Sequence, residues 1–385
     1  MKRGLFFLVS FFLFFPTFLF GQQFYHYGAR AMGMGGAFVS AADDLTAFYW
    51  NPAGLLFVPG KGGMFITLGR ELNSRGRMME LLASADPLLA GYPDSLSPDL
   101  ADILADMSSP YSSLSGAGDW SFTAGGRGSF FSVVNGSAAL IYPEVDTSRM
   151  NEDPTAGDYI GSNETSIRYR AFKTREYVFS FSLPLLTDLF FGVNVKYIKG
   201  KTHLFEERFL GEYEGGFSTK EFYHYAFTGR VEEEGSFSFD LGFVANLAPR
   251  VRVGVVGKDV SSPSFKTAFS DKFILQPRWR AGVAVFVSDT LTLAFDYDIT
   301  KNRWGDEGPE MRELSFGVEK WFIDKKIAVR GGGSYNFASD DPLLSRFLIA
   351  GGFGVRGRGT VLDFSLSYQK GLEALGMSLS FGWQF

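Results

Sequence analysis

Leu291-Thr292-Leu293-Ala294-Phe295-Asp296-Tyr297-Asp298-Ile299-Thr300 places apolar side chains at its odd positions, and Thr292, Asp296, Asp298 and Thr300 at even ones. A period of two belongs to an extended strand, whose successive side chains leave opposite faces. The same alternation sets Phe237, Phe239, Leu241 and Phe243 against Ser236, Ser238, Asp240 and Gly242. It recurs with Leu362, Phe364, Leu366 and Tyr368 against Asp363, Ser365, Ser367 and Gln369, and it also ends the chain. There Leu379, Phe381, Trp383 and Phe385 share one face, and Ser378, Ser380, Gly382 and Gln384 the other. One such strand would equally suit a soluble sandwich with its apolar face on a second sheet.

The spacing of the segments separates these readings. Strands are predicted near 62–70, 117–134, 136–149, 164–186, 189–206, 234–247, 250–260, 276–288, 291–300, 311–323, 326–337, 346–357, 360–370 and 376–385. Short turns are expected at Asn135-Gly136, Thr187-Asp188, Ala248-Pro249, Asp289-Thr290, Asp324-Lys325 and Arg358-Gly359. Longer polar loops fall between them at 71–116, 150–163, 207–233, 261–275, 301–310, 338–345 and 371–375. An even strand number, with short turns at one end and long loops at the other, is the rule of outer-membrane barrels. The expected fold is therefore all-β: a 14-stranded antiparallel transmembrane β-barrel over residues 62–385, with apolar faces toward outer-membrane lipid.

Composition agrees with that solvent. Met1-Lys2-Arg3 precedes an apolar run from Leu5 to Leu19, too short for a spanning helix and interrupted by Pro16, so residues 1–21 are expected to be a cleaved signal peptide. Forty-two Phe, 16 Tyr and 46 Gly point to many short aromatic-faced strands. The absence of cysteine excludes disulfides and Cys-based zinc chemistry. The net charge is −5 before Lys2 and Arg3 are removed, which does not suggest nucleic-acid binding.

Catalysis finds little support. Gly33-Met34-Gly35-Gly36 lacks the third glycine of a dinucleotide fingerprint, with Phe38 in its place, and no Gly-x-Ser-x-Gly elbow exists. His26, His203 and His224 are too dispersed for a metal or triad site. No cofactor, metal or catalytic residue is expected. Lys196, Arg252, Arg278, Arg280 and Arg330 instead share the polar parity of their strands with Asp240, Asp296, Asp363 and Glu313. A charge facing mid-bilayer lipid costs about 2–4 kcal/mol, so these groups are expected to face the lumen. They would form an ionic lattice there, or an arginine such as Arg278 or Arg280 would pair with a ligand carboxylate.

Two regions break the alternation. Ser97-Pro98 precedes Leu100, Ile103, Leu104 and Met107 on one side, which describes a short amphipathic helix in the first long loop. It would cover the barrel mouth or help form an external apolar groove. Residues 22–61 are rich in Gly and Ala, suited to folding within a lumen. The core of that stretch contains Arg30-Ala31-Met32-Gly33-Met34-Gly35-Gly36-Ala37, then Ala42-Asp43-Asp44, then Asn51-Pro52-Ala53-Gly54-Leu55. This sequence resembles the N-terminal hatch signature of the FadL-type long-chain fatty acid transporter superfamily, and its wording is nearest the PorV/PorQ-like and UPF0164-like branches.

The resemblance implies a monomeric barrel plugged by residues 22–61, with Arg30, Gly33, Gly35, Gly36, Asp43, Asp44, Asn51 and Pro52 as hatch residues. It implies a hydrophobic small-molecule ligand that leaves through a lateral wall opening. In the PorV-like branch, the barrel would instead be a shuttle for secreted protein; a structural barrel without transport is the third reading. A wall gap needs small residues or a bulge, which makes Gly125, Gly126 and Gly128 gate candidates, with ordinary strand glycine as the alternative. Phe24, Tyr25 and Tyr27 would line a ligand pocket or anchor the plug against the wall. By the same analogy, Phe385 is the signal read by barrel-assembly machinery.

Overall fold

The computed structural model describes residues 27–75, 113–126, 128–144, 166–208, 231–267, 272–303, 310–338, 347–369 and 374–385. Fourteen strands close into one barrel: β1 (Gly62–Arg75), β2 (Ser113–Gly126), β3 (Ser129–Glu144), β4 (Ser166–Pro184), β5 (Leu189–Arg208), β6 (Val231–Ala248), β7 (Val251–Lys258), β10 (Arg278–Ser288), β11 (Leu291–Asp298), β14 (Glu313–Phe322), β15 (Ile327–Asn336), β16 (Phe347–Arg356), β17 (Thr360–Gln369) and β18 (Ala374–Gln384). Two small hairpins lie in the longer connections: β8 (Ser264–Lys266) with β9 (Lys272–Ile274), and β12 (Asn302–Arg303) with β13 (Glu310–Met311). Barrel neighbours are antiparallel throughout, and β1 meets β18 with Gly63 opposite Gln384 and Leu68 opposite Leu379. Closure removes the unpaired edges that an open sheet would expose.

Burial is inverted relative to a soluble fold. Phe295 and Tyr297 are 50% and 38% exposed, whereas Asp296 and Asp298 are each 1% exposed. Phe179, Phe181, Phe353 and Phe381 are likewise exposed, while Ser180, Asn194, Asp240, Ser365 and Ser380 are buried. The period of two therefore sorts aromatics outward and polar groups into the lumen, as expected from their alternation. No helix among the described residues is long and apolar enough to cross a membrane.

The turn expected at Asn135-Gly136 is not a turn. Asn135 lies within β3, opposite Trp120 on one side and Arg175 on the other, and Gly136 lies opposite Asp119 and Thr174. Asn-Gly favours a two-residue hairpin only where strands end. Here the alternation from Phe130 to Val134 carries the strand through it, and Gly128 with φ 81° makes the turn instead. That change also relocates the gate candidates. Gly125 pairs with Gly63 and Phe130, and Gly126 with Gly62 and Ser129, so both are held on two sides at the end of β2. Gly125, Gly126 and Gly128 thus belong to a tight turn and open no gap in the sheet.

Residues 27–58 run inside the barrel. They form α1 (Ala29–Gly33), α2 (Ala47–Trp50) and a 3-10 helix over Pro52–Phe57. Tyr27, Phe38, Leu45, Phe48 and Trp50 pack there with inward Phe65, Val178, Val256, Ala284, Ala294 and Val361 of the wall. The core of the molecule is therefore the contact between this inner segment and the barrel. Gly35 is required by both its conformation and its position: φ is +63°, and a Cβ would stand 2.1 Å from the Gly333 nitrogen. The signal peptide, Phe24, Tyr25 and the helix expected over 97–107 lie outside the described residues.

Candidate functional site: the polar lumen around the inner segment

Arg30 of α1 is the centre of the contact between inner segment and wall. Its Nε and Nη2 donate to the two carboxylate oxygens of Glu319 at 2.8 and 2.7 Å, a bidentate pair. Nη1 donates to Asp43 and, at 3.2 Å, to Asp44. Glu319 also accepts from Arg330 Nε at 2.7 Å and from Trp321 Nε1 at 2.8 Å, and Arg330 Nη1 reaches Asp363 at 2.7 Å. Burial works against the charge on Arg30, but Asp43 and Glu319 outweigh it and hold the guanidinium above its ordinary value. Arg30, Asp43 and Asp44 of the hatch motif are thereby brought together.

Two further sets fasten the segment. Asp296 Oδ2 accepts from the backbone N–H groups of Phe38 and Val39 at 2.7 and 2.8 Å. Asn51 caps the 3-10 helix by accepting from the Ala53 N–H at 3.1 Å, while its Nδ2 donates to the Phe243 carbonyl at 3.0 Å. Pro52 occupies the first turn of that helix, where a missing N–H costs nothing. Asn51 and Pro52 thus form the turn toward β1 and also tie it to β6. Gly33 stands 3.3 Å, measured from its would-be Cβ, from the Gly352 Cα, and Gly36 has φ +81°.

The lumen cations are paired with carboxylates. Lys196 bridges Asp240 at 2.7 Å and Asp259 at 2.5 Å, and Arg278 binds Asp259 at 2.6 Å. Arg280 binds Asp298 at 2.5 Å and Glu313 at 3.2 Å, and donates to the Gly36 carbonyl at 3.3 Å. Arg252 differs: its guanidinium lies 3.7 Å from the Phe57 ring centroid and 4.9 Å from that of Phe286. Arg278 and Arg280 accordingly sit in an ionic lattice, the first of the two arrangements expected for them. Glu319 and Asp259 are not among the carboxylates that the sequence singles out, whereas Asp298 lies on the polar face of its strand. Glu319 was within reach of the sequence, since it shares the inward parity of Ser315 and Gly317 in β14.

Tyr27 is the described member of the aromatic trio. It stacks on Tyr49 at 4.3 Å, meets Phe48 edge-on at 5.7 Å, and shares a hydrogen bond between its hydroxyl and that of Ser121. Lys258 Nζ lies 2.9 Å from the Tyr49 ring centroid. Burial raises both tyrosines above their ordinary value, so each remains a neutral donor. At the opposite end of the chain, the Phe385 carbonyl accepts from the N–H groups of Lys61 and Gly62 at 2.7 and 3.1 Å, and its ring is exposed.

The family model described as "F plasmid transfer operon, TraF, protein" matches residues 50–298, from the end of α2 to the end of β11. The chain belongs to this TraF family. No curated protein matches it. Among solved structures, this TraF-family chain is similar to the CymD monoaromatic hydrocarbon channel, with 15% identity and a TM-score of 0.56 over 95% of this chain and 99% of that one. The Ralstonia pickettii toluene transporter TbuX gives 14% identity and 0.55 over 93% and 98%. A Pseudomonas aeruginosa FadL homologue gives 11% and 0.53 over 96% and 100%. At these identities, the likeness establishes a shared FadL-type barrel fold.

Proposed function

We propose that this TraF-family barrel sits in the bacterial outer membrane and passes hydrophobic small molecules through a lumen plugged by its N-terminal segment, with exit to the bilayer through the wall. What supports this reading is the packing of residues 27–58 against inward-facing wall residues, with ties through Arg30, Asp296 and Asn51, inside a wall whose outer face is aromatic. An apolar exterior suits lipid, and a segment packed within the lumen would narrow any path for water. An apolar cargo gains free energy by leaving water, so a wall exit suits it better than a wet pore. The FadL-type fold supports the reading, because the channels sharing it are described as carrying toluene or monoaromatic hydrocarbons. A long-chain fatty acid is the specific ligand proposed, and the barrel acts alone, as a monomer, without chemistry on its cargo.

A protein-secretion or interaction role is the second reading, favoured by the filled interior at the level of Phe38, Phe48 and Trp50. Extraction and native mass spectrometry of the purified barrel separate the two. Co-purified fatty acid or hydrocarbon at near one per barrel supports transport; a barrel that neither retains nor binds added oleate, yet captures protein cargo, refutes it.

A further inference from the structure

One row of directly opposed residues runs across the outer wall through seven strands. Phe364 lies opposite Leu379, Leu379 opposite Leu68, Leu68 opposite Trp120, Trp120 opposite Asn135, Asn135 opposite Arg175, and Arg175 opposite Lys199. The first four are apolar and the last two cationic. These residues line a groove of about 820 Å³ in which Arg70, Lys173 and Lys201 also take part. Among the described residues, those lining the groove include five cationic and two acidic side chains, the latter Asp119 and Glu233.

The cations are arranged against their own electrostatics. Arg175 stands directly opposite Lys199, and Lys173 directly opposite Lys201 in the next outward row. Like charges directly opposite each other across two strands destabilise a sheet. Glu233 answers Lys201 at 2.6 Å, and both groups are about half exposed. Arg175 is held in place by donating from Nε to Asn135 Oδ1 at 2.9 Å, and Asn135 Nδ2 is a buried donor without a hydrogen-bond partner among the described residues. A fixed guanidinium, a vacant amide donor and three nearby lysines form a receptor for anionic oxygen.

The row also has a direction. Phe364 is four residues from the short-turn end of its strand at Thr360, whereas Arg175 is nine from Pro184 and Lys199 ten from Leu189. At ~3.3 Å per residue and a tilt of ~40°, the cations stand ~20–25 Å above the turns, near the far edge of a ~25 Å apolar band. The apolar end lies ~15 Å deeper by the same geometry. The groove therefore has the length and polarity of one lipid: acyl chain below, headgroup above.

We infer that this groove holds an anionic, phosphate-bearing lipid of the leaflet facing the long loops, its phosphate on Arg175, Lys199 and Asn135 and its chain along Trp120, Leu68 and Leu379. The inference rests on the barrel being embedded in membrane. It goes beyond transport, since it assigns a fixed lipid to the outer wall.

Trp120 reports on the site. Proteoliposomes made with brominated phosphatidylglycerol or brominated phosphatidylcholine quench tryptophans that touch acyl chains, and subtracting the Trp120→Phe signal isolates Trp120. The expected result is half-quenching at a mole fraction at least threefold lower for phosphatidylglycerol than for phosphatidylcholine. In the Arg175→Gln/Lys199→Gln variant that ratio falls to about one, with folding followed by heat-modifiable gel migration. Should that variant not fold, the single Lys199→Gln variant is read in the same way. Equal half-quenching in the unaltered protein, or a ratio that survives in the folded variant, overturns the lipid site. Loss of the preference with 10 mM inorganic phosphate also overturns it, in favour of a free-anion site. Absence of quenching by either lipid at every tryptophan would instead defeat the membrane reading on which the inference rests.

Discussion

Arg30→Ala tests how the inner segment is held. The substitution removes both donors to Glu319 and the guanidinium between Asp43 and Asp44, all within the barrel. Truncating one member of a buried, hydrogen-bonded ion pair costs about 3–5 kcal/mol. Glu319 keeps Arg330 and Trp321, so the lower end of that range applies. At about 1.4 kcal/mol per tenfold, ~3 kcal/mol raises local opening of the segment roughly 10²-fold. The strands have their own ladders and should not share the effect. Hydrogen exchange followed by mass spectrometry should show amides of residues 28–38 exchanging about 10² faster, with β14 and β15 unchanged. Arg30→Met with Glu319→Gln replaces both charges and should cost less than the two single changes added together, because the two side chains act as one unit. Unaltered exchange at 28–38, or equal acceleration in the strands, would refute the view that Arg30 locks the segment to the wall.

Gly35→Val should destabilise the same seat, since its Cβ would overlap the Gly333 backbone and φ is +63°; increased proteolysis near residue 35 in the folded barrel checks it. Asp296→Ala strips the acceptor from two buried N–H groups, at about 1–3 kcal/mol each, and should speed exchange at Phe38 and Val39 most. Deleting Phe385 removes the carbonyl that holds Lys61 and Gly62 at the β1–β18 seam, and should lower the yield of heat-modifiable, membrane-integrated protein. Converting Phe24, Tyr25 and Tyr27 to Ser should weaken binding of oleate while leaving barrel stability nearly intact; equal affinity in the triple variant removes these rings from the pocket.

The barrel was readable in the sequence because an apolar exterior and a polar lumen demand opposite chemistry of alternate residues. Asp296 between Phe295 and Tyr297 leaves one choice of face, and strand order follows once short and long connections alternate. Local turn chemistry misled at Asn135-Gly136, where pairing with Trp120 and Arg175 overrides an Asn-Gly hairpin preference. The true turn depends on Gly128 at φ 81°, which the cluster Gly125-Gly126-Arg127-Gly128 signals but does not distinguish from glycines inside a strand. The hatch motif includes Arg30, Asp43 and Asp44, yet the bidentate partner of Arg30, Glu319, is 289 residues away in the chain. Parity places Glu319 in the lumen; only barrel closure and register set it opposite α1. The same limit applies to the like-charge block of Arg175 and Lys199, whose opposition depends on the register of β4 and β5.

The seal itself is tested most directly by single-channel conductance in planar bilayers, comparing the intact protein with a variant lacking residues 28–55. With the inner segment across the lumen, the intact barrel should show little or no ion current and the shortened barrel steady open-pore steps. An intact protein that conducts as freely as the shortened one would contradict a lumen closed by residues 28–55.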